Sequence, residues 1–285
     1  MILPMLIGFF IFTYCPILYI LRYALFDYNG FAHATFTGPN NLIRIFQRDP
    51  AYWDSVLNTL VLSGGKLLIE IPLALLLAVL LQRQGKTGGG FRVTLFLPTI
   101  ISTAIVGLIF TLMFGATQGI VNMMLMKIHL ISRPIDWMGS KWTALAMIGF
   151  ASIWAYVGIN MIFFLMALQG VPRELYECAT LDGCTGFKRF VRITLPMIGP
   201  IFRVVLLNAI IGSLKVTDLV LASTNGQPGG KTEVVMTYVF KYFTGMSGRR
   251  IEVGYASAMS LVTGIFLAAM SFFYLKASKK MNLED

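Results

Sequence analysis

Six long apolar stretches constrain the fold of this chain more than any other feature. Crossing about 30 Å of hydrocarbon takes about 20 helical residues, and each stretch is long enough to do so. They cover residues 1–26, 56–82, 93–114, 142–169, 197–222 and 253–275. Lipid offers the backbone no hydrogen-bond partner, and the sequence lacks the alternating pattern of barrel strands, so helices are expected. The sequence therefore predicts an all-α integral membrane protein, a single domain over residues 1–285 with six transmembrane helices.

The distribution of basic residues predicts how the chain is oriented in the membrane. Three connecting segments hold ten Lys or Arg in 48 residues: 82–92, 170–196 and 276–285. The other three hold nine in 87 residues: 27–56, 115–141 and 223–252. The positive-inside rule places the denser set in the cytoplasm. Because the formal charge of +10 is spread along the chain and forms no single patch, we expect a lipid bilayer as the partner and no nucleic acid.

The start of the chain and its cysteines fit a multi-pass membrane protein. Residues 1–26 lack a basic leading region and are longer than the apolar part of a signal peptide, so we interpret them as a first membrane helix. Cys15 falls inside the membrane, and Cys178 and Cys184 fall on the predicted cytoplasmic side. Thiols stay reduced there, and we expect no disulfide.

No motif in the sequence indicates chemistry by this chain itself. Its two Gly-Lys-Thr tripeptides, at 85–87 and 230–232, lack the first glycine of a nucleotide-binding loop, because Leu80 and Asn225 stand at that position. We interpret the segment 85–90 as a simple connector. The only histidines are His33 and His129, and metal-ligand spacings are missing. We predict no catalytic residue, no metal and no cofactor in this chain.

The segment 170–196 is punctuated like an ordered helix-turn-helix. Pro172 is suited to open a short helix and Gly183 to close it. Thr185 is then placed to cap a second helix that continues to Leu195 and Pro196. Along the first helix, one face is predicted to carry Leu175, Tyr176 and Ala179, flanked by Glu174 and Glu177.

This segment resembles the EAA loop of permease subunits of binding-protein-dependent ABC importers. That pattern has Glu-Ala-Ala, a glycine, nine residues, and then Ile-x-Leu-Pro. The chain reads Glu177-Cys178-Ala179, Asp182-Gly183, residues 184–192 and Ile193-Thr194-Leu195-Pro196. Its one departure is Cys178 in place of the first alanine, which keeps a small side chain.

Further segments resemble the carbohydrate-uptake branch of that family, nearest the larger-permease type of maltose-like and glycerol-phosphate-like systems. They are FFIFTYCPILYILRYALFDYNGF at residues 9–31, Asn58-Thr59, Gly119 to Asn122, Thr224 to Thr232 and Gly254 to Ala258. The resemblance implies a type I ABC importer permease fold with a cytoplasmic coupling helix, in a bacterial cytoplasmic membrane. It also implies that Glu177, Cys178, Ala179, Asp182 and Gly183 couple the chain to an ATPase. A simpler interpretation is that Gly183 only turns the chain and Glu177 is a solvated charge.

The resemblance further implies a non-catalytic subunit that forms the pathway for a sugar or oligosaccharide. Its partners would be a second permease in a heterodimer, two copies of an ATPase that binds ATP and Mg, and an extracellular solute-binding protein. One alternative is a permease for glycerol phosphate or a polyol. The residues alone also leave open a secondary transporter, although no inverted repeat is seen, and a membrane scaffold whose loop docks another partner.

Polar residues within the spans are candidates for the substrate pathway, because a charge at membrane depth is costly unless it is paired or hydrated, and aromatic and amide groups suit sugars. The candidates are Trp154, Tyr156 and Asn160 in the fourth span, and Asn208, Lys215, Thr217 and Asp218 in the fifth. Alternatively, the aromatic residues mark the membrane interface, and Lys215 pairs with Asp218 at i,i+3 near the outer surface. Lys66 and Glu70, at i,i+4, are interpreted as an internal ion pair.

Overall fold

The computed structural model describes residues 3–82 and 88–280, and this part of the chain is mostly helical. In chain order the helices are α1 Leu3–Tyr23, α2 Asn40–Gln47, α3 Pro50–Gln82, α4 Gly88–Ile100, α5 Thr103–Met113, α6 Ile120–Lys127, α7 Lys141–Gln169, α8 Arg173–Leu181, α9 Gly186–Met197, α10 Gly199–Leu214, α11 Asp218–Ser223, α12 Val235–Thr244 and α13 Val253–Lys280. A small antiparallel hairpin pairs β1, Phe26–Asp27, with β2, Thr35–Phe36. The first half of the predicted connector 85–90, the tripeptide 85–87, lies outside the described residues.

Four helices are long and apolar enough to cross a membrane, namely α1, α3, α7 and α13. Two further crossings result if each of two bent helix pairs is counted as one span, α4 with α5 and α9 with α10. The described helices therefore agree with the predicted six-span membrane fold. We call the end of the bundle that carries residues 170–196 the inner end, and the end that carries α2 and the hairpin the outer end.

The predicted span over 93–114 is not one continuous helix. The structure instead bends it by 97° between α4 and α5. Pro98 lacks the N–H that would continue the ladder of α4, and Ser102 is extended where α5 begins, with ψ of 134°.

The predicted span over 197–222 is also interrupted. Its helix α10 ends at Leu214, and Thr217 adopts non-helical angles before the short helix α11 starts. At the inner end, α9 and α10 meet at 73° around Ile198. The predicted span 56–82 starts earlier than expected, since α3 begins at Pro50.

Helix α7 is the most buried of the membrane helices, and the other helices pack around it. Toward the inner end it packs against α3, α4 and α10, around residues such as Met161 and Phe164. Toward the outer end its apolar residues meet α5 and α11 around Ile148 and Leu219. A third apolar core lies between α2, α3, α12 and α13 at the outer end. By contrast, α1 buries none of its residues and touches the rest of the bundle mainly along α13.

The buried Asp49 carboxylate joins three helices at the outer end. It accepts the backbone N–H of Tyr52 in the first turn of α3 at 3.0 Å. It also accepts the hydroxyl of Tyr238 from α12 at 2.8 Å and that of Tyr255 from α13 at 2.6 Å. Burial raises the pKa of Tyr238, so its phenol remains a donor at neutral pH. The start of α3 at Pro50 follows from this capping interaction.

We expect Asp49→Asn to lower the free energy of unfolding by about 2 kcal/mol or more, because the amide replaces one acceptor oxygen with a donor that faces hydroxyl donors. Thermal unfolding of the purified protein in detergent would measure the loss. Asp54→Asn is the matched control, since Asp54 is exposed on the same helix. Equal unfolding temperatures for the two variants would contradict the role given to Asp49.

Candidate functional site

Helix α8 at the inner end has the boundaries that the sequence predicts. Pro172 stands before its first residue, and Glu174 lies in its first turn, where a carboxylate suits the helix dipole. Beyond its last residue, Gly183 has φ of +70°, in the left-handed region. The Cys184 N–H donates to the Ala179 carbonyl at 2.7 Å and the Gly183 N–H to the Thr180 carbonyl at 3.1 Å. These two bonds form a Schellman motif, so the helix ends in a fixed turn.

Helix α8 is fastened to α9, which leads into the membrane. The Tyr176 hydroxyl and the Thr194 Oγ1 are 3.1 Å apart, and the Arg189 guanidinium lies over the Tyr176 ring at 5.4 Å. Thr185 stands before α9 as predicted, but its side chain makes no capping hydrogen bond. A displacement of α8 would therefore act directly on α9, and through α9 on α10, which follows it in the chain.

The five residues predicted for coupling lie in the C-terminal half of α8 and in the turn that follows it. Glu177, Cys178, Asp182 and Gly183 are exposed, whereas Ala179 is buried. The exposed surface also carries two large apolar side chains that sequence reasoning missed, Leu181 with 88% and Phe187 with 80% of their surface exposed. The signal in the sequence that identifies them is the presence of apolar residues on both sides of the Gly183 turn, in an otherwise polar segment.

The pathway candidates of the fourth span divide between two surroundings. Trp154 lies near the outer aromatic residues, with its ring centroid 5.7 Å from that of Phe110. Tyr156 and Asn160 instead face α3, where Asn160 is buried and donates from Nδ2 to the Glu70 Oε1 at 2.6 Å.

The candidates of the fifth span lie on α10 and at the break that follows it. Asn208 is exposed on α10. Lys215 and Asp218 are exposed on either side of the break, and Thr217 between them donates its hydroxyl to the Lys215 carbonyl at 3.2 Å. Among the ion pairs in the described part of the chain, none joins Lys215 to Asp218.

The predicted internal pair of Lys66 and Glu70 is confirmed, and it belongs to a larger polar cluster inside the membrane. The Lys66 Nζ and Glu70 Oε2 are 3.3 Å apart, and the two side chains are 4% and 1% exposed. The ammonium also lies 4.5 Å from the centre of the Tyr156 ring. The cluster therefore connects α3 to α7 through one ion pair, one amide hydrogen bond and one cation–π contact.

Next to this cluster, an apolar crevice of about 470 Å³ opens between α3 and α7. Lys66 is the one charged residue in its described lining, whose other members include Leu62, Gly149 and Phe150. The described lining of the crevice offers groups able to bind a ligand. It does not place a nucleophile beside a general base, as catalysis would require. Within residues 3–82 and 88–280, no group of His, Cys, Asp and Glu is placed to hold a metal ion.

The second Gly-Lys-Thr tripeptide has a structural place in the outer loop. The Thr232 hydroxyl donates to the Gln227 carbonyl at 2.6 Å and lies 3.0 Å from the Thr224 hydroxyl. The Asn58 amide donates to the carbonyls of Lys231 and Glu233 at 2.9 and 2.8 Å. The Lys241 ammonium, paired with Glu233 at 2.6 Å, closes the base of the loop. These bonds hold the loop from within, and a nucleotide phosphate has no cradle there.

Lys66→Met should reduce the free energy of unfolding by roughly 3–5 kcal/mol, because it leaves the buried Glu70 charge without its partner. Adding Glu70→Gln should restore most of the loss, since Gln still accepts the Asn160 hydrogen bond and carries no charge. A double-mutant cycle of thermal unfolding in detergent measures the coupling, with the exposed cation variant Lys127→Met as control. Additive losses would mean that the two side chains do not act as a pair.

Comparison with known proteins gives the same picture along the whole chain. Residues 70–282 match the family model described as "Binding-protein-dependent transport system inner membrane component". The chain is 32% identical over 277 residues to a lactose transport system permease protein of Rhizobium radiobacter, which covers 95% of this chain and 90% of the relative. It is 29% identical over 280 residues to a trehalose/maltose transport system permease protein of Thermococcus litoralis, covering 98% and 92%. A chain in the crystal structure of a bacterial alginate ABC transporter, in complex with an alginate pentasaccharide-bound periplasmic protein, superposes with a TM-score of 0.83 at 25% identity and covers 99% of this chain and 93% of that one.

Proposed function

The chain belongs to the family of inner membrane components of binding-protein-dependent transport systems, and from this we propose that it is the permease subunit of an ATP-driven importer for a sugar or oligosaccharide. Family membership makes the chain a membrane transport component. We therefore prefer this function to the two alternatives that the residues alone left open, an ion-driven secondary transporter and a membrane scaffold. The observation that carries the sugar assignment is the similarity along 95% of the chain to a lactose transport permease.

We infer that the ATP-driven step reaches this chain through α8. Support comes from the exposed acidic and apolar residues in and after the C-terminal half of α8, and from the contacts of α8 with α9. A partner ATPase, present in two copies and binding ATP and Mg, would receive this surface in a groove. Leu181 and Phe187 would be buried there, at a gain of about 25 cal/mol for each Å² of apolar surface removed from water. Glu177 and Asp182 would contribute orientation rather than affinity.

Gly183→Leu should abolish transport while leaving membrane insertion intact. The glycine has φ of +70° and open space around it, so leucine strains the turn by about 1–2 kcal/mol and projects a bulky side chain from the docking surface. Uptake of labelled solute and the amount of protein in the membrane would be measured together. Gly183→Asn separates the two effects, since Asn tolerates the left-handed region and should retain more uptake than Leu. Normal uptake by the leucine variant would refute the coupling role.

The substrate pathway is proposed to run beside Tyr156 and along α10, where Asn208 is exposed. Aromatic rings and amide groups suit the faces and hydroxyls of sugars. Asn160 supports this pathway from behind, through its hydrogen bond to Glu70. Trp154 would lie at its outer end, and Lys215, Thr217 and Asp218 at the break between α10 and α11, where unwound backbone also offers polar groups.

The assembly that we propose contains a second, different permease and an extracellular solute-binding protein that delivers the sugar. A periplasmic protein accompanies the similar alginate transporter, which supports the solute-binding protein as a partner. The unburied surface of α1 supports the other permease as a partner, because this surface is free to contact another subunit within the bilayer.

The test is to purify the chain from its own membrane and identify what accompanies it. An ATPase and a second permease are expected. After reconstitution with the binding protein, sugars would be screened for stimulation of ATP hydrolysis, and one sugar or oligosaccharide should raise the rate. Transport by the isolated chain along an ion gradient would overturn the proposal. In the same assay, Asn208→Ala should change the sugar concentration that gives half-maximal stimulation, and an unchanged value would remove Asn208 from the pathway.

A further inference from the structure

A polar cleft of about 840 Å³ opens at the outer end of the bundle. Its walls are the β1–β2 hairpin, helix α2 and the segment 250–252 that leads into α13. Amide and hydroxyl side chains such as Asn29 and Thr37 line it, together with charged residues. The cleft lies at the opposite end of the bundle from α8 and shares no residue with the pathway candidates.

The cleft is held open by contacts between its walls. The Asn41 amide donates to the carbonyls of Ala24 and Phe26, at 3.1 and 2.9 Å, which attaches α2 to the hairpin. The Gly254 N–H donates to the Tyr28 carbonyl at 2.9 Å, which attaches the start of α13 to the same segment. A Cβ at Gly254 would collide with the Phe26 carbonyl oxygen, so this close approach requires glycine. The shape is therefore set before any partner arrives.

The charges in the cleft are not balanced. Arg44 is neutralised by an ion pair with Glu252 and lies over the Tyr255 ring at 3.8 Å. Arg48 and Arg250 are exposed, and neither guanidinium has a hydrogen bond or ion pair with any residue in the described ranges. Asp27 is the remaining carboxylate of the lining. Two unpaired guanidinium groups thus face the cleft beside a single free carboxylate.

An apolar feature at the rim indicates what kind of partner fits. Phe31 lines the cleft with 86% of its surface exposed. Exposed aromatic rings beside arginines are enriched at protein–protein interfaces, where both residue types supply much of the binding energy. A phosphate or a lipid headgroup would use the arginines and leave both the ring and most of the volume unfilled.

We propose that this cleft is the surface on which the solute-binding protein docks, and that it receives an acidic, protruding edge of that protein. Arg48 and Arg250 pair with carboxylates of the partner, and Phe31 packs against an apolar patch beside them. Because Arg44 is already neutralised, it orients the wall of the cleft rather than the partner. The inference rests on the proposed function, since it takes the binding protein of that importer as its occupant.

The test uses the complete reconstituted importer in vesicles of phosphatidylcholine alone. The measurement is the concentration of sugar-loaded binding protein that gives half-maximal stimulation of ATP hydrolysis. The double variant R48E/R250E should raise this concentration about tenfold or more, because like charges would then meet across the interface. Added salt should weaken docking in the unaltered complex more than in the variant. The control is K127E/R133E, which makes the same charge change at exposed outer residues away from the cleft, and it should leave the value unchanged.

Several outcomes would overturn the inference. One is the same half-maximal concentration for R48E/R250E and the unaltered complex, and another is an equal shift in the control. A shift seen only in vesicles that contain anionic lipid would assign the arginines to headgroups, and a shift in the concentration of free sugar, with the binding protein saturating, would assign them to the solute. If no binding protein stimulates even the unaltered complex, the proposed function itself fails, whereas stimulation that ignores both arginines overturns only the cleft. A milder R48Q/R250Q pair, with a smaller shift in the same direction, guards against misfolding of the reversed variant.

Discussion

Hydrocarbon provides no partner for a charge or a backbone amide, and the internal architecture of this protein follows from that constraint. Two buried carboxylates lie in sets of polar groups that interact with one another. Glu70 is held by Lys66 and Asn160 at the middle of the bundle, and Asp49 by two tyrosines and a backbone amide at its outer end. Each set connects different helices, so the groups that are costly to bury also fix which helices lie side by side.

The two ends of the bundle are built for different kinds of contact. The inner end presents a short helix stopped by a fixed turn and tied to α9, with acidic and apolar side chains outward. The outer end presents a wide polar cleft whose walls are tied together by backbone and amide hydrogen bonds. Between them, the bends at Ser102 and Thr217 interrupt two spans next to the most buried helix, α7. Two of the spans that connect the ends therefore consist of two segments each, whereas α3 and α7 cross the bundle as single helices.

How much of this was predictable depended on the range of the interaction involved. The bounds of α7 and α8 followed from local features, an uninterrupted apolar run in one case and Pro172 with Gly183 in the other. The ion pair between Lys66 and Glu70 was predictable because the two residues are four positions apart on one helix. The hydrogen bond from Asn160 to Glu70 was not predicted, since nothing in the sequence indicates a contact between residues 90 positions apart. The bends in two spans were not predicted for a related reason, because mean hydropathy is averaged over a window of residues and records no change in helix direction. The cleft was invisible for the same reason, being formed by residues more than 200 positions apart, such as Arg44 and Glu252.

The packing of α1 has a consequence for how the chain is made. This helix precedes α13 by more than 200 residues, yet it buries no residue of its own, and its main partner is α13. Its hydrogen bonds are satisfied within the helix, so it is able to reside in the bilayer alone. Because more than 200 residues separate the two helices, α13 is synthesised well after α1, and α1 gains its main neighbour only then. The packing of α1 against the bundle thus depends on the later insertion of α13, which makes α13 a late checkpoint in the assembly of this permease.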